Sequence, residues 1–247
     1  MNETTERLFA EVSAPYRARI GVTTGTERIV TLQASLAHLS RTSALADAKD
    51  LLKSGVDGFV HTVRDRDVDE EYIALVKAHP KVWTGPNIPG PGETEEEINV
   101  LAETLPPSTI ANMRRLLESR KAAGNPPNAL FELHCRNVKR IHDAGMIIGL
   151  GTDGTGDGFG AHQQIAYYVR CGFSTSEAIQ AATSVNAQIL GLTRMGTVTA
   201  GKEADFVVLD ANPLENIANS YRISRVYLRG AEVDRQALRS KFLSGTK

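Results

Sequence analysis

Met146-Ile-Ile-Gly-Leu-Gly-Thr-Asp153 is a short apolar run that ends in a carboxylate, and the glycine-rich stretch Gly154–Gly160 follows it at once. A parallel α/β sheet or barrel presents reactive groups in this way, at the carboxyl end of a buried strand. The run therefore predicts a strand that carries Asp153 to the functional edge of such a sheet. The alternative interpretation is that Asp153 only supports a Gly-Thr-Asp-Gly turn.

The composition is typical of a globular protein with a sizeable core. The chain has 247 residues, of which 41% are hydrophobic, which suits one large α/β domain or a barrel. Lys and Arg total 28 against 29 for Asp and Glu, a net charge of −1 that favours a small-molecule substrate over nucleic acid or an anionic membrane.

Neither a membrane segment nor a cysteine motif is evident. The chain has no apolar stretch long enough to span a bilayer and no secretory signal pattern, so the cytoplasm is the default expectation. A targeting segment encoded upstream of Met1 would change that expectation. Cys135 and Cys171 lack the Cys-x-x-Cys spacing, which predicts neither a disulfide framework nor a thiolate zinc site. Each is expected to be a buried helix residue.

Helices and strands are expected to alternate along the chain, as in βα units. Periodic apolar positions and glycine stops predict helices over 45–55, 69–79, 93–105, 108–122 and 128–144. Short apolar runs predict strands near 32–37, 57–61, 82–85 and 146–151. Two further helices, 174–183 and 185–192, precede the strands 206–209 and 225–229 of a small β unit.

The second half of this pattern resembles the amidohydrolase superfamily, in its imidazolonepropionase-like and dipeptidase-like branch. The resemblance covers about residues 36–235 and is strongest from Asn137 to Arg235. It is carried by Met146–Asp153 and by three later segments, Ser174–Thr183, Asn186–Gly191 and Ala204–Ile217. It implies an α/β fold, a partial (β/α)8 TIM-type barrel of strands 5–8 with the C-terminal part of a small β domain. The implied boundaries are 1–35 for a poorly matching N-terminal segment, 36–195 for the partial barrel and 196–247 for the small β domain.

The resemblance also implies a divalent metal site, with zinc as the expected ion. His38 resembles the histidine that members of the family carry on the fifth strand, and His61 resembles the sixth-strand histidine. Asp153 resembles the eighth-strand aspartate, which binds metal and takes a proton from the attacking water. The family's His-x-His pair and bridging lysine have no counterpart, because none of the 6 histidines forms a His-x-His and the first lysine is Lys49.

Two further residues are candidates for substrate contact. Arg64 follows His61 closely and would bind a substrate carboxylate through its guanidinium fork, whereas pairing with a nearby aspartate is the structural alternative. His162 opens a helix after the glycine-rich stretch, where a substrate contact and a plain helix-start role are both open. His134 and His142 are expected on a solvated outer face of helix 128–144, because several basic residues surround them.

We therefore expect a metal-dependent hydrolase that acts on non-peptide amide, cyclic amide or dipeptide C–N bonds, encoded by a gene that is truncated or altered in its reading frame upstream. The alternative is a non-catalytic fragment that self-associates, because half a parallel sheet leaves an unpaired edge and exposes apolar surface. The substrate and the oligomeric state are left open by the sequence.

Overall fold

The computed structural model describes residues 44–102, 105–126, 128–152 and 160–243. These residues belong to one compact unit. The predicted strand 32–37 and the predicted metal ligands His38 and Asp153 lie outside the described residues, and so does most of the glycine-rich stretch. The fold and the candidate site are therefore built from the described part of the chain alone.

Helices and short strands alternate through the first part of the described chain, as the apolar pattern predicts. The helices are α1 (Leu45–Lys53), α2 (Glu70–Ala78), α3 (Glu95–Leu101), α4 (Pro107–Ala122) and α5 (Ala129–Asp143). The strands are β1 (Gly58–Phe59), β2 (Trp83–Thr84) and β3 (Ile147–Ile148). Side-chain caps fix several helix starts: Asp69 accepts a hydrogen bond from the Tyr72 amide before α2, and Asn128 accepts one from the Phe131 amide before α5.

The three strands form a parallel sheet in the order β1-β2-β3. Gly58 pairs with Trp83, which pairs with Ile147, so the strands are in register and their carboxyl ends reach the same edge. Backbone hydrogen bonds continue past the short strands, because the Gly149 amide donates to the Thr84 carbonyl at 2.8 Å and the Gly151 amide to the Pro86 carbonyl at 3.2 Å. An α/β fold with a parallel sheet is confirmed.

The core lies between this sheet and helices α1, α2, α5 and α6, the last of which spans Gly160–Arg170. Its largest fully buried side chains include Tyr72, Tyr168, Leu52 and Ile141. Helices α3 and α4 pack around a second, smaller cluster that contains Ile98, Leu117 and Tyr221. Burial of these apolar side chains, at roughly 25 cal/mol per Å² removed from water, is the main favourable contribution to folding.

Residues 175–190 form one continuous helical run, where two separate helices were expected. Helix α7 (Thr175–Gln180) continues through a π-helical turn, Ala181–Val185, into α8 (Asn186–Leu190). A capping box of Ser174 and Glu177 begins the run, and Gly191 in a left-handed conformation ends it. The expected break is absent because no glycine or proline interrupts residues 181–185.

A small antiparallel sheet follows, with strand order β4-β5-β6. Its strands are β4 (Phe206–Leu209), β5 (Ile223–Leu228) and β6 (Ala231–Glu232), and a 3-10 helix, Ile217–Tyr221, connects the first two. The last described helix is α9 (Arg235–Leu243). The sequence predicts β4 and β5 at these positions but gives no sign of β6. Among the described helices, none combines the length and the apolar character needed to cross a bilayer.

The prediction that the cysteines form no disulfide is wrong. Cys135 on α5 and Cys171, directly after α6, form a disulfide with their Cα atoms 4.5 Å apart. The two residues are 36 positions apart, and only the packing of α5 against α6 brings them together. A search for locally spaced cysteines cannot detect such a pair.

Candidate functional site

The candidate site is the edge of the parallel sheet at which the three strands end. His61 follows β1 by two residues, and its carbonyl accepts a hydrogen bond from the Thr84 hydroxyl at 3.4 Å. The segment Gly149–Thr152 follows β3 at the same edge and leads directly to Asp153. The described backbone therefore delivers His61 and the residue before Asp153 to one edge of the sheet.

Tyr168 ties the two later strands together at this edge. Its ring is fully buried, and its hydroxyl donates to the carbonyl oxygen of Gly149 at 2.7 Å, with the carbonyl oxygen of Pro86 as a second acceptor at 3.1 Å that shares the same proton. Burial raises the pKa of the Tyr168 hydroxyl, so it stays protonated and remains a donor. At Gly151 there is little room for added bulk, because a Cβ there would lie 2.3 Å from the Gly85 carbonyl oxygen.

Arg64 lies in the loop after His61, and three aspartates that follow it in the sequence form ion pairs. Asp65 pairs with Arg66, Asp67 with Arg136 at 2.8 Å, and Asp69 with Lys49 at 2.6 Å. The Arg136 guanidinium lowers the pKa of Asp67, and the Lys49 ammonium lowers that of Asp69. Asp67 and Asp69 are therefore charged at neutral pH.

His134 is buried beneath the same loop, and its expected position on a solvated face is wrong. Its side chain is 0% exposed, and neither ring nitrogen has a hydrogen-bond partner among the described residues. Burial above all, and then the charges of Arg64 and His61, lower the pKa of His134 to about 4. His134 is therefore a neutral imidazole packed close to His61 and Arg64.

His134 and Asn137 belong to the buried stripe of α5, which continues through Val138 and Ile141. These positions follow the i, i+3, i+4, i+7 spacing of a core-facing helix, and this is the sequence signal that could have found both residues. The basic residues between them obscure that signal, because Arg136 and Arg140 lie on the outer side and pair with Asp67 and Glu70.

His162 lies on the first turns of α6 and lines a mostly apolar cleft of about 740 Å³. The cleft runs between the helical segments α6 to α8 and the small antiparallel sheet, and Ser220 and Phe206 also line it. The ring of His162 faces Tyr221 with 5.3 Å between ring centroids, and burial lowers the pKa of His162. Its role in substrate binding stays a prediction.

The predicted metal site extends beyond the described residues. Within the described residues no group of three or more His, Cys, Asp or Glu side chains could hold a metal ion. Of the predicted ligands, only His61 is described. Its imidazole at the strand end, together with the approach of the chain to Asp153, fits the nitrogen and carboxylate ligands that zinc takes in proteins.

The sequence matches the model of the Amidohydrolase family over residues 34–233, and the chain therefore belongs to that family. Members of the family generally use divalent metal ions. The match includes the parallel sheet, the helices around it and all three strands of the small antiparallel sheet.

Individual relatives match only parts of their own length. An imidazolonepropionase from Deinococcus radiodurans is 33% identical over 102 residues, which cover 38% of this chain and 26% of that protein. A 5-methylthioadenosine/S-adenosylhomocysteine deaminase from Carboxydothermus hydrogenoformans is 33% identical over 113 residues, with 39% of this chain and 25% of that protein covered.

A solved structure of a putative prolidase from Bifidobacterium longum is similar over most of this chain. It superposes with a TM-score of 0.51 and 26% sequence identity, over 80% of this chain and 48% of that one. The aligned region thus spans about a quarter of the two curated relatives and about half of this structural relative.

Proposed function

We propose that this chain carries strands 5–8 of an amidohydrolase barrel, with the C-terminal part of the small β domain, and hydrolyses C–N bonds of small molecules. Non-peptide amides, cyclic amides and dipeptides are the proposed substrates. The observation that supports the proposal is that His61 and the segment leading to Asp153 leave the parallel sheet at the same edge. Parallel α/β folds bind ligands and carry out chemistry at that edge.

In this proposal His38, His61 and Asp153 would hold a divalent ion, zinc by the chemistry of the ligands. The ion would polarise the scissile carbonyl and lower the pKa of a bound water. The carboxylate of Asp153 would accept the proton of the attacking water. Arg64 would bind a carboxylate of the substrate through its fork of N–H donors, and His162 would contact the substrate beyond it.

Metal content tests this proposal directly. We expect the purified chain to bind zinc stoichiometrically, and His61→Ala and Asp153→Ala to lose both the zinc and any hydrolysis of a panel of dipeptides and N-acyl amino acids. His142→Ala is the matched control, because His142 lies on the far part of α5 next to Asp143 and Glu177. A chain that binds no zinc, or His61→Ala and His142→Ala variants with equal metal content, would contradict the proposal.

A second candidate function is that of a non-catalytic chain that self-associates, and the small sheet supports it. Among the described strands β4 lies at the edge of that sheet, all four of its residues are apolar, and Val207 is 46% exposed. Exposed apolar edge strands readily pair with another chain. Light scattering at increasing protein concentration separates the candidates when combined with metal analysis, because this alternative predicts oligomers without zinc.

A further inference from the structure

Each of the three described strands of the parallel sheet is followed by a segment that is bonded to a carboxamide side chain from a helix. Asn137 on α5 contacts the loop after β1, Gln164 on α6 contacts the loop after β2, and Asn186 on α8 contacts the extension of β3. Asn137 is 0% exposed and Gln164 is 7% exposed. A carboxamide carries the same donor and acceptor as a peptide group and no charge, so it can replace a neighbouring strand where the sheet ends.

The bonds of Gln164 and Asn186 have the same pattern. Gln164 accepts from the Ile88 amide at 2.7 Å and donates to the Ile88 carbonyl at 2.9 Å. Asn186 accepts from the Leu150 amide and donates to the Leu150 carbonyl, both at 3.0 Å. Each of these side chains therefore satisfies both backbone groups of a single loop residue, as an adjacent strand would.

Asn137 makes more bonds, and they surround Arg64. Its Oδ1 accepts from the Val68 amide at 2.9 Å, and its Nδ2 donates to the carbonyls of Val63 at 3.0 Å and Arg66 at 2.9 Å. Arg64 lies between the two bonded carbonyls, and His61 lies two residues before the first of them. One buried side chain thus closes the turn that follows the candidate metal ligand.

We propose that Asn137 is a positioning residue, which fixes the backbone of loop 61–68 so that His61 and Arg64 are held ready for a cation and a substrate. The inference rests on the proposed function of His61. Residues that orient a metal ligand commonly change metal affinity about 10- to 100-fold when they are replaced. Gln164 supports a loop that carries none of the proposed ligands, and it is therefore a matched control with similar burial and the same chemistry.

The test compares Asn137→Leu with Gln164→Met in the full chain. We expect Asn137→Leu to weaken zinc binding by about 10- to 100-fold and to shift the NMR resonances of the His61 ring. Gln164→Met should accelerate hydrogen exchange at the Ile88 amide but leave zinc affinity within about twofold and the His61 resonances in place, because its loop has no ligand. Equal losses of zinc affinity in both variants would mean that the carboxamides serve only general stability, and this would overturn the inference.

Asn137→Asp and Gln164→Glu provide the same comparison if the apolar variants do not fold. Each of these variants keeps the oxygen that accepts from the loop amide and removes the N–H that donates to the loop carbonyls. We expect the Asn137 variant again to change zinc affinity and the His61 resonances more than the Gln164 variant does, with smaller changes than in the apolar variants. If the unaltered chain binds no zinc, the proposed function fails, and the His61 resonances still decide this inference. Resonances that move in the Asn137 variants and not in the Gln164 variants support it, and resonances that stay in place in both overturn it.

Discussion

Lowering the pH from 7.5 to 5 should destabilise this protein through His134. The ring has an ordinary pKa of 6.5 when exposed, whereas in the fold burial and the charge of Arg64 lower its pKa to about 4. In the unfolded chain His134 therefore binds a proton below pH 6.5, whereas in the folded chain it binds one only below about pH 4. The contribution of neutral His134 to stability is present above pH 6.5 and is lost as the pH falls toward 4.

The size of the effect follows from the two pKa values. The gap between 6.5 and about 4 corresponds to at most about 3 kcal/mol of unfolding free energy, and about 2 kcal/mol of it is lost by pH 5. Because His134 is 0% exposed, solvent screening does not reduce this figure greatly. The loss is a large share of the roughly 5–15 kcal/mol that stabilises a typical domain.

Urea unfolding at pH 5, 6 and 7.5 measures this contribution. Between pH 7.5 and pH 5 the unfolding free energy of the unaltered protein should fall by about 2 kcal/mol more than that of His134→Leu, because leucine cannot be protonated. Val138→Ala is the control, since it weakens the same buried face of α5 without removing a titratable group and should lower stability equally at each pH. Parallel pH curves for His134→Leu and the unaltered protein would refute the reasoning.

Two further changes test the packing of the edge and the disulfide. Gly151→Ala should lower the unfolding free energy by about 1–3 kcal/mol, because its Cβ would lie 2.3 Å from a backbone carbonyl oxygen. Gly85→Ala is the control, because a Cβ at that position meets nothing within 4 Å. Equal urea midpoints for the two variants would contradict this prediction. Replacing Cys135 and Cys171 by serine should cost roughly 4 kcal/mol under oxidising conditions, because the bond closes a loop across 36 positions. The serine variant and the unaltered protein should become alike when a reductant is added, and a difference that persists would exclude the disulfide as its cause.

The parallel sheet could be predicted from the sequence because its signals are local. Strands β1, β2 and β3 each fall inside a short apolar run with a nearby glycine, and helices α1, α2 and α5 begin and end within two residues of the predicted bounds. Buried parallel strands are apolar on both faces, so no alternation had to be recognised. The family resemblance draws on the apolar run that contains β3 and on segments later in the chain, and the match over residues 34–233 confirms it.

The features that could not be predicted depend on contacts between distant parts of the chain. Whether His134 faces the core or the solvent is decided by the loop after β1, about seventy positions earlier, and the strongly basic surroundings of His134 pointed to the wrong answer. The hydrogen bonds of Asn137 could not be predicted for the same reason, because its partners Val63, Arg66 and Val68 are 69–74 positions away. A polar residue inside an amphipathic stripe is the only local trace of such a bond.

Strand β4 has a practical consequence for anyone who purifies this protein. Its residues Phe206–Leu209 include no lysine, glutamate or proline, the residues that usually prevent sheet edges from joining, and within the described part of the chain only β5 pairs with it. Losses during storage should therefore increase with the concentration of the sample, because pairing of β4 between molecules is a bimolecular step. A lysine at Val207 is the smallest change that would protect the sample without touching the parallel sheet.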